Sequence, residues 1–436
     1  MRRIFGTATA LLLAATAIPV AAQEAAPQVT FIHAGRLLAD PGEAPRGPTT
    51  IVVRGGQVAE LRDGLVAPDA GAELVDLSDR FVLPGLIDMH VHLIGIGGDP
   101  LADRLTDINR DVQDELLIGV ANARATLMAG FTTVRDLGSN PRSIRALRDA
   151  SAAGRIDAPT IVNAGSGITV SGGHGDPRNG IAEEFIAGHD HPENLCDGVE
   201  DCRRAVRRQV GLGAQVIKFM ATGGVLSNVS GGLGQAMTTE EMEAVIDTAH
   251  GLGRRVAAHS HAADGTRAAV EAGVDTIDHG TFLDDDTIRL MVRQRTWLVP
   301  TMIALRSVTE QADAGALPAA VVPKVREAAA ASRDSHRRAI AAGVRIAFGT
   351  DSGVSAHGIN AEEFGLMVDA GMTPAQAIVA ATVNAAEALG REDSLGRIAP
   401  GMAADIIALD GDPLVDVREL EDIEFVMKGG RIVRES

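Results

Sequence analysis

The chain lacks several residues and patterns on which other classes of protein depend. Its 436 residues include no tyrosine, so any hydrogen bond that a tyrosyl hydroxyl would give to a substrate must come from another side chain. Basic residues number 40 against 58 acidic ones, and the formal net charge is −18. Such an acidic chain has no electrostatic footprint for nucleic acid or an anionic membrane surface. The composition therefore excludes nucleic acid and anionic lipid as partners.

Long apolar runs are confined to the first residues. Arg2 and Arg3 precede the apolar run 4–18, and Val20-Ala21-Ala22 offers small residues at a cleavage site. This order predicts a signal peptide over residues 1–22, whereas a short membrane anchor would need a longer run. We therefore expect a mature chain that begins near Gln23, carries a charge of about −20, and is exported to the periplasm or secreted by a bacterium without a membrane span.

Only two cysteines are present. Cys196 and Cys202 lie six residues apart, and no histidine lies beside them at metal-ligand spacing. In an exported protein, a local disulfide and two free thiols are both consistent with this pattern. Their expected role is to staple a loop.

What the chain does contain is an alternation of apolar strands and amphipathic helices. In "TTEEMEAVIDTAHGLG", for example, Thr238 and Glu241 form a capping box before an apolar stripe. Eight strands are predicted: Ile87–Val91, Thr132–Asp136, Thr160–Ala164, Val216–Met220, Val256–Ala258, Thr276–Asp278, Trp297–Met302 and Arg345–Phe348. Eight such units predict an α/β fold, a (β/α)8 TIM barrel over residues 87–394. An open doubly wound sheet is the alternative, but no phosphate-binding glycine fingerprint follows the first strand.

The two ends of the chain share a sequence pattern that differs from that of the predicted barrel. Residues 23–86 and 395–436 consist of short alternating strands broken by Gly, Pro and Asp. We expect these segments to join into one small composite β-sandwich beside the barrel. The long loops 171–198 and 226–238 are expected above the catalytic face, where such loops shape substrate binding.

Histidines and an aspartate lie at the predicted strand ends. His90 and His92 are two apart on one strand, so both imidazoles point to the same face. That pair alone would also fit two hydrogen-bonded core histidines. His259, His279 and Asp351, however, follow three further strands, and a barrel gathers such residues at one mouth. Imidazole and carboxylate ligands suit zinc and similar divalent ions.

Lys218 lies near the C-terminal end of the fourth barrel strand, where a buried ammonium needs a partner. With the five residues above, and with "LPGLIDMHVHL", "FGTDSG" and "GMAADI", it resembles the binuclear branch of the amidohydrolase superfamily over about residues 28–436. The resemblance implies two divalent ions, expected to be Zn2+, bridged by Lys218 after its N6-carboxylation by CO2. It further implies the metal ligands His90, His92, Lys218, His259, His279 and Asp351.

The same resemblance implies a mechanism. His90, His92 and Asp351 would hold one ion, and His259 and His279 the other. A hydroxide between the ions would attack the substrate carbonyl, and Asp351 would pass its proton to the leaving amine. Asp351, Lys218 and His279 are accordingly expected to be catalytic.

Local phrases narrow the resemblance further. "VIKFMATGGVLS", "VAAHSHAADG" and "GVDTIDHG" resemble secreted metal-dependent dipeptidases and carboxypeptidases, including bacterial enzymes that hydrolyse ochratoxin A. This implies cleavage of N-acyl amino acids or dipeptides, and of ochratoxin A to ochratoxin alpha and L-phenylalanine. It also implies a homo-oligomer, with an octamer as one form. The alternatives are a ring-opening cyclic amidase or lactonase of hydantoinase or imidazolonepropionase type, and a non-catalytic scaffold, against which the six intact ligands argue.

Other residues are assigned from their position in the pattern. His174 is predicted to contact the substrate, and Val225 and Leu226 to offer it apolar contacts. His261 either faces the same cavity or caps the following helix. Arg135 and Asp136 are expected to form a structural ion pair below the site, and the role of His357 stays open. The histidines predicted to be non-catalytic are His33, His189, His191, His250 and His336.

Overall fold

The computed structural model describes residues 28–95, 111–179, 192–227 and 232–435. The predicted signal peptide lies outside these residues, as do His189 and His191 and parts of both predicted loops. Among the described residues, no helix combines the length and apolar character needed to cross a membrane.

In the described part of the chain, four strands precede the barrel, eight strands build it, and three strands follow it. The first four are β1 Val29–Leu37, β2 Thr49–Arg54, β3 Gln57–Asp63 and β4 Glu73–Pro84. The first half of the barrel consists of β5 Leu86–Val91, α1 Val112–Met128, β6 Phe131–Asp136, α2 Pro141–Ala152, β7 Thr160–Asn163, α3 Val199–Leu212, β8 Ile217–Met220 and α4 Thr239–Gly251. The second half consists of β9 Val256–Ser260, α5 Ala263–Glu271, β10 Thr276–His279, α6 Asp285–Gln294, β11 Trp297–Val299, α7 Met302–Asp313, α8 Val322–Ala341 and β12 Arg345–Ile346.

Three helices and three strands complete the described chain. They are α9 Glu362–Asp369, α10 Pro374–Ala380, α11 Val383–Leu389, β13 Ile406–Leu409, β14 Phe425–Lys428 and β15 Arg431–Glu435, with a 3-10 turn at Val417–Glu421.

The barrel closes through two seams. Strands β5 to β7 and β8 to β12 form two parallel sheets. At one seam, Met89 N donates to Phe348 O at 2.9 Å and His92 N donates to Ser352 O at 2.7 Å. At the other, Gln215 N donates to Asn163 O at 2.8 Å, beside a parallel bridge between Ile168 and Phe219. The eight parallel strands therefore form the predicted (β/α)8 barrel.

The predicted end of the seventh barrel strand is wrong. The pattern extended it to Met302, but β11 ends at Val299 and Met302 begins α7. Pro300 follows β11 and has no N–H to continue the ladder. This early end places Thr301 at the turn above the barrel.

Both chain ends contribute to one seven-stranded sheet, in the order β15-β14-β13-β4-β1-β2-β3. The sheet folds back on itself. Two hydrogen bonds show this: Val58 N donates to Met402 O at 2.9 Å, and Ala404 N donates to Gly56 O at 2.9 Å. Buried side chains from both ends, including Ile32, Ile51 and Ile406, fill the space inside it. This is the composite β-sandwich that the alternating patterns predict.

Cys196 and Cys202 form a disulfide, which resolves the alternative that the sequence left open. Both residues are buried, and Cys202 lies in the first turn of α3. Cys196 N also donates to Thr169 O at 2.8 Å. The bridge thus holds the loop after β7 against the start of α3.

Candidate metal and active site

The six predicted metal ligands converge at the C-terminal mouth of the barrel. Three of them form one cluster around the carboxylate of Asp351. The Nε2 atom of His92 lies 3.1 Å from Asp351 Oδ1, and the Nε2 atom of His90 lies 3.4 Å from the same oxygen. These three side chains come from the end of β5 and from the loop after β12, which the barrel seam brings together.

A second cluster lies beside the first. The Nε2 atom of His279 is 3.0 Å from the Nδ1 atom of His259. The ring of His261 stacks on His279 with 4.9 Å between centroids, and one nitrogen of each of the three histidines lies within 4.8 Å of the others. His261 faces the cavity and does not cap α5, whose N-cap position is Ala262. His90 and His279, with ring centroids 5.1 Å apart, connect the two clusters.

Three of the four imidazoles among the candidate ligands are neutral at neutral pH, and the fourth, that of His92, is paired with Asp351. Burial lowers the pKa of His90, His259 and His279 well below the ordinary range, so each keeps a lone pair at neutral pH. Burial would also lower the pKa of His92, but the hydrogen bond and charge of Asp351 outweigh it and raise the pKa to about 9. Asp351 Oδ1 is buried, and the Nε2 atoms of His90 and His92 lie 3.4 and 3.1 Å from it. Three neutral imidazoles beside a carboxylate fit a divalent cation, which would displace the proton of His92 when it binds.

Lys218 is 2% exposed and donates to Asp278 Oδ2. Burial lowers the pKa of Lys218, although the charge of Asp278 opposes the effect. Asp278 also accepts from Arg135, whose Nη2 lies 3.1 Å from Oδ1. The expected ion pair between Arg135 and Asp136 is therefore wrong: Asp136 instead accepts from Leu93 N at 2.8 Å.

Three residues at the mouth have left-handed backbone conformations. The φ angles of His279, Thr301 and Asp351 are 70°, 50° and 59°. For residues other than glycine, this conformation costs about 1–2 kcal/mol, and such strain concentrates at functional sites. At His279 it interrupts the alternation of the strand, so that His279 lines the cavity while the adjacent Asp278 contacts Lys218.

Two neighbours hold His279 in this conformation. His336 Nε2 donates to the carbonyl oxygen of His279 at 2.6 Å, and His279 Nδ1 lies 2.7 Å from Thr301 Oγ1. His336 lies on a helix and was predicted to be non-catalytic; its side chain nevertheless lines the cavity. Helical periodicity could not reveal this contact, because it depends on where α8 crosses the barrel mouth.

The N-terminus of α7 is capped by a residue from a later helix in the chain. The Thr301 hydroxyl faces His279, so it does not cap the helix. Glu363 takes that role: its two carboxylate oxygens accept from Met302 N at 2.9 Å and from Ile303 N at 2.7 Å. Complete burial raises the pKa of Glu363 to about 8. No sequence signal indicated this residue.

The clusters open into a cavity of about 420 Å³, which also contains every predicted substrate-binding residue. His174, His261, Val225 and Leu226 all line it. The His174 ring lies 4.2 Å from that of His259, and burial lowers its pKa to about 4. Further apolar lining comes from residues on several elements, namely Ile94, Met220, Met302, Leu305, Val308 and Val354.

The remaining described histidines lie outside the cavity lining. His357 lies behind His92, with Nε2 3.2 Å from the carbonyl oxygen of His92 and Nδ1 3.1 Å from Thr126 Oγ1. The sequence left the role of His357 open, and in the structure it contacts the backbone of the candidate ligand His92. His33 contacts Val66 O in the β-sandwich, and His250 pairs with Asp275 at the surface.

Known proteins share this architecture. The Amidohydrolase family model matches residues 81–433. Ochratoxinase from Aspergillus niger is 31% identical over 93% of this chain and 87% of its own length. The crystal structure of a Xaa-Pro dipeptidase with bound methionine superimposes with a TM-score of 0.88 at 37% identity, covering 93% of this chain and all of that one. A prolidase complexed with N-methylphosphonate-L-proline gives a TM-score of 0.85 at 28% identity, over 94% of this chain and all of that one.

The matched residues 81–433 span the whole barrel and its six converging side chains, and the relatives cover nearly the entire chain. The chain therefore belongs to the amidohydrolase family, and it is a metal-dependent hydrolase that acts on carbon–nitrogen bonds.

Proposed function

We propose that this enzyme uses two metal ions to cleave the amide bond next to a C-terminal amino acid. Its substrates would be dipeptides and N-acyl amino acids, including ochratoxin A, which would yield ochratoxin alpha and L-phenylalanine. The observation that carries the proposal is the convergence of six candidate ligands on one apolar cavity. The similarity to an ochratoxinase, a Xaa-Pro dipeptidase and a prolidase supports the choice of substrate class.

The residues present fit two divalent ions. His90, His92 and Asp351 would hold one, and His259 and His279 the other. Zinc suits these donors, and when bound it would supply Lewis acidity to a water molecule and to the substrate carbonyl. The neutral imidazoles and the Asp351 carboxylate are the features that a cation would use.

Lys218 would bridge the ions as a carbamate. An ammonium has donors only and cannot ligate a cation, whereas a carbamate offers two oxygens. Burial lowers the pKa of Lys218 and so favours the neutral amine that reacts with CO2. Carboxylation would also explain why a lysine lies among metal ligands at the mouth of the barrel.

Asp351 is placed to move a proton. Its carboxylate lines the cavity beside His90 and His92. It would accept a proton from the attacking water and return it to the leaving amine when the tetrahedral intermediate collapses. Loss of this carboxylate should therefore affect kcat more than KM.

The cavity suits an amino acid derivative with apolar groups. Val225, Leu226 and Leu305 contribute to a wall that would bind an apolar side chain or acyl group. Among the described lining residues, Lys218 is the only lysine or arginine. The substrate carboxylate would therefore bind neutral donors such as His174 and Asn140, in a chain without tyrosine.

The test is release of free phenylalanine from ochratoxin A and from N-acetyl-phenylalanine, followed by chromatography. Both should be cleaved, chelation should abolish turnover, and added zinc should restore it. His259→Asn should remove at least 99% of the activity, while the matched surface variant His250→Asn should retain it. Efficient opening of a cyclic amide or lactone, with neither linear substrate cleaved, would assign the site to a ring-opening amidase or lactonase.

A further inference from the structure

A buried chain of charges lies beneath the candidate metal site. Lys218 Nζ donates to Asp278 Oδ2, and Arg135 Nη2 donates to Asp278 Oδ1 at 3.1 Å. The exposed fractions are 2% for Lys218, 0% for Asp278 and 1% for Arg135. These three side chains therefore lie inside the barrel, and of the three only Lys218 borders the cavity.

Arg135 is anchored on both sides of this pair. Its Nε donates to Met89 O at 2.6 Å, one residue before a candidate ligand. Its Nη1 donates to Thr276 Oγ1 at 3.1 Å. The guanidinium thus connects β5, β6 and β10, so its position, and that of the Asp278 carboxylate, is fixed by the barrel backbone.

We propose that Asp278 orients the carboxylated side chain of Lys218, and that Arg135 holds Asp278 and balances its charge. This inference rests on the proposed carboxylation of Lys218. Neither Asp278 nor Arg135 lines the cavity. Both are therefore positioning residues, which act on the reaction through Lys218 and through the neighbouring His90, whose Nδ1 lies 3.6 Å from Asp278 Oδ2.

The hydrogen bond to Asp278 survives carboxylation. The ammonium first releases one proton to solvent. The amine lone pair then forms a bond to the carbon of CO2, one C=O electron pair moves to oxygen, and a second proton leaves. The product is a carbamate anion whose nitrogen keeps one N–H, and Asp278 Oδ2 is already placed to accept from it.

This single hydrogen bond determines where the two carbamate oxygens lie. The carbamate C–N bond is conjugated and planar, as in a peptide. The N–H therefore lies in the same plane as both oxygens. Fixing the N–H direction at Asp278 fixes that plane, and the oxygens are held ready for the ions. A lysine without this acceptor would have to order its carbamate at the moment of metal binding, at a cost in entropy.

Carboxylation also explains the need for Arg135. It changes the charge of Lys218 from +1 to −1, so that the lysine and Asp278 together change from neutral to −2. Two buried anions in contact are unfavourable unless a cation compensates them. Arg135 supplies that cation on the far side of Asp278, where it cannot compete with the metal ions for the carbamate oxygens.

The experiment measures carboxylation and metal content directly. The full-length protein is equilibrated with 13C-labelled bicarbonate, the lysine carbamate is counted by 13C NMR, and zinc affinity is measured by chelator competition. Asp278→Asn keeps the size of the side chain but cannot accept from Lys218 and Arg135 together. We expect at least a tenfold loss of zinc affinity and a matching loss of carbamate, both partly restored by high bicarbonate.

Asp405→Asn is the matched control, because Asp405 is a buried carboxylate that accepts from Gly429 N at 2.7 Å, away from the site. It should leave carbamate and zinc unchanged. If Asp278→Asn fails to fold, as judged by circular dichroism, Thr276→Val replaces it. That variant removes one anchor of Arg135, and a smaller loss of carbamate is expected.

The outcomes separate the two proposals. A wild-type carbamate signal that Asp278→Asn or Thr276→Val leaves unchanged, with full zinc affinity, overturns the role of Asp278 and Arg135 but not the proposed function. A wild-type protein that binds zinc and cleaves amides without any carbamate overturns this inference and the carboxylation together. A wild-type protein with the carbamate but no amide hydrolysis contradicts only the proposed substrate class.

Discussion

Replacing Glu363 with glutamine should change how the stability of the protein depends on pH. Glu363 is fully buried, and burial raises its pKa from 4.5 to about 8. Between those values, the folded protein keeps a proton that the unfolded chain has lost. Unfolding then releases a proton, so the free energy of unfolding decreases as the pH rises from about 4.5 to about 8.

The size of the effect follows from the pKa difference. Each pH unit inside this window removes at most about 1.4 kcal/mol of stability. From pH 5 to pH 8 the loss is at most about 4 kcal/mol. Below the window both states hold the proton, and above it both have lost it, so the contribution is constant on either side.

Glu363→Gln resembles the protonated form at every pH. The amide oxygen can accept from Met302 N or from Ile303 N, but the amide nitrogen cannot accept from the other. The variant should therefore be about 1–2 kcal/mol less stable than the wild type at pH 5. At pH 8 or above the difference should shrink or reverse, because only the wild type has acquired a buried charge.

The measurement is chemical denaturation of both metal-free proteins at pH 5, 6, 7 and 8. The difference between the two curves isolates Glu363 from distant groups that titrate equally in both proteins. A difference that stays constant over this range would refute the reasoning. It would mean that Glu363 is ionised throughout and caps α7 as a carboxylate.

Three further predictions concern single contacts. Lys218→Ala should lose at least 99% of the activity and regain part of it when short carboxylic acids are added. Lys218→Arg should be as inactive as Lys218→Ala, because a guanidinium offers no ligand atoms. A fully active Lys218→Arg would show that the lysine is structural. Replacing Cys196 and Cys202 by serine should lower the free energy of unfolding by about 2 kcal/mol and leave kcat unchanged, and an unaltered denaturation midpoint would contradict the stapling role. Thr301→Val should weaken zinc binding about 10- to 100-fold in chelator competition by removing the partner of His279 Nδ1, whereas Thr301→Ser should retain it; equal affinities would show that this hydrogen bond does not position His279.

The sequence predicted the parts of the fold that depend on local pattern. Apolar strands such as β9 were recognisable because each is short, buried and bounded by turn residues. His259 and Asp351 stood out because charged or ligating side chains are rare at the ends of buried strands. Topology then required these strand ends to meet at one mouth, so residues far apart in the chain could be assigned to one site.

Contacts between elements could not be predicted in the same way. Asp278 reads as one more residue of a buried strand, and only the closed barrel, in which side chains from β6 and β10 meet, shows that it pairs with Arg135. Glu363 lies at the start of α9, and its side chain caps the N-terminus of α7, 60 residues earlier in the chain. Such contacts depend on how helices cross the barrel, which periodicity along a single segment does not encode.

The seven-stranded sheet also has a consequence for the order of folding. Strand β4 pairs in parallel with β1 on one side and antiparallel with β13 on the other, with Pro84 opposite Ile406. Because the whole barrel lies between these two strands in the chain, β4 presents an unpaired edge until the last barrel unit has been made. Contacts this distant are costly to close and form late, and an exposed strand edge is a site of aggregation. Strand β13 thus covers the exposed edge of β4, and the protein is most prone to misassembly until β13 has paired with it.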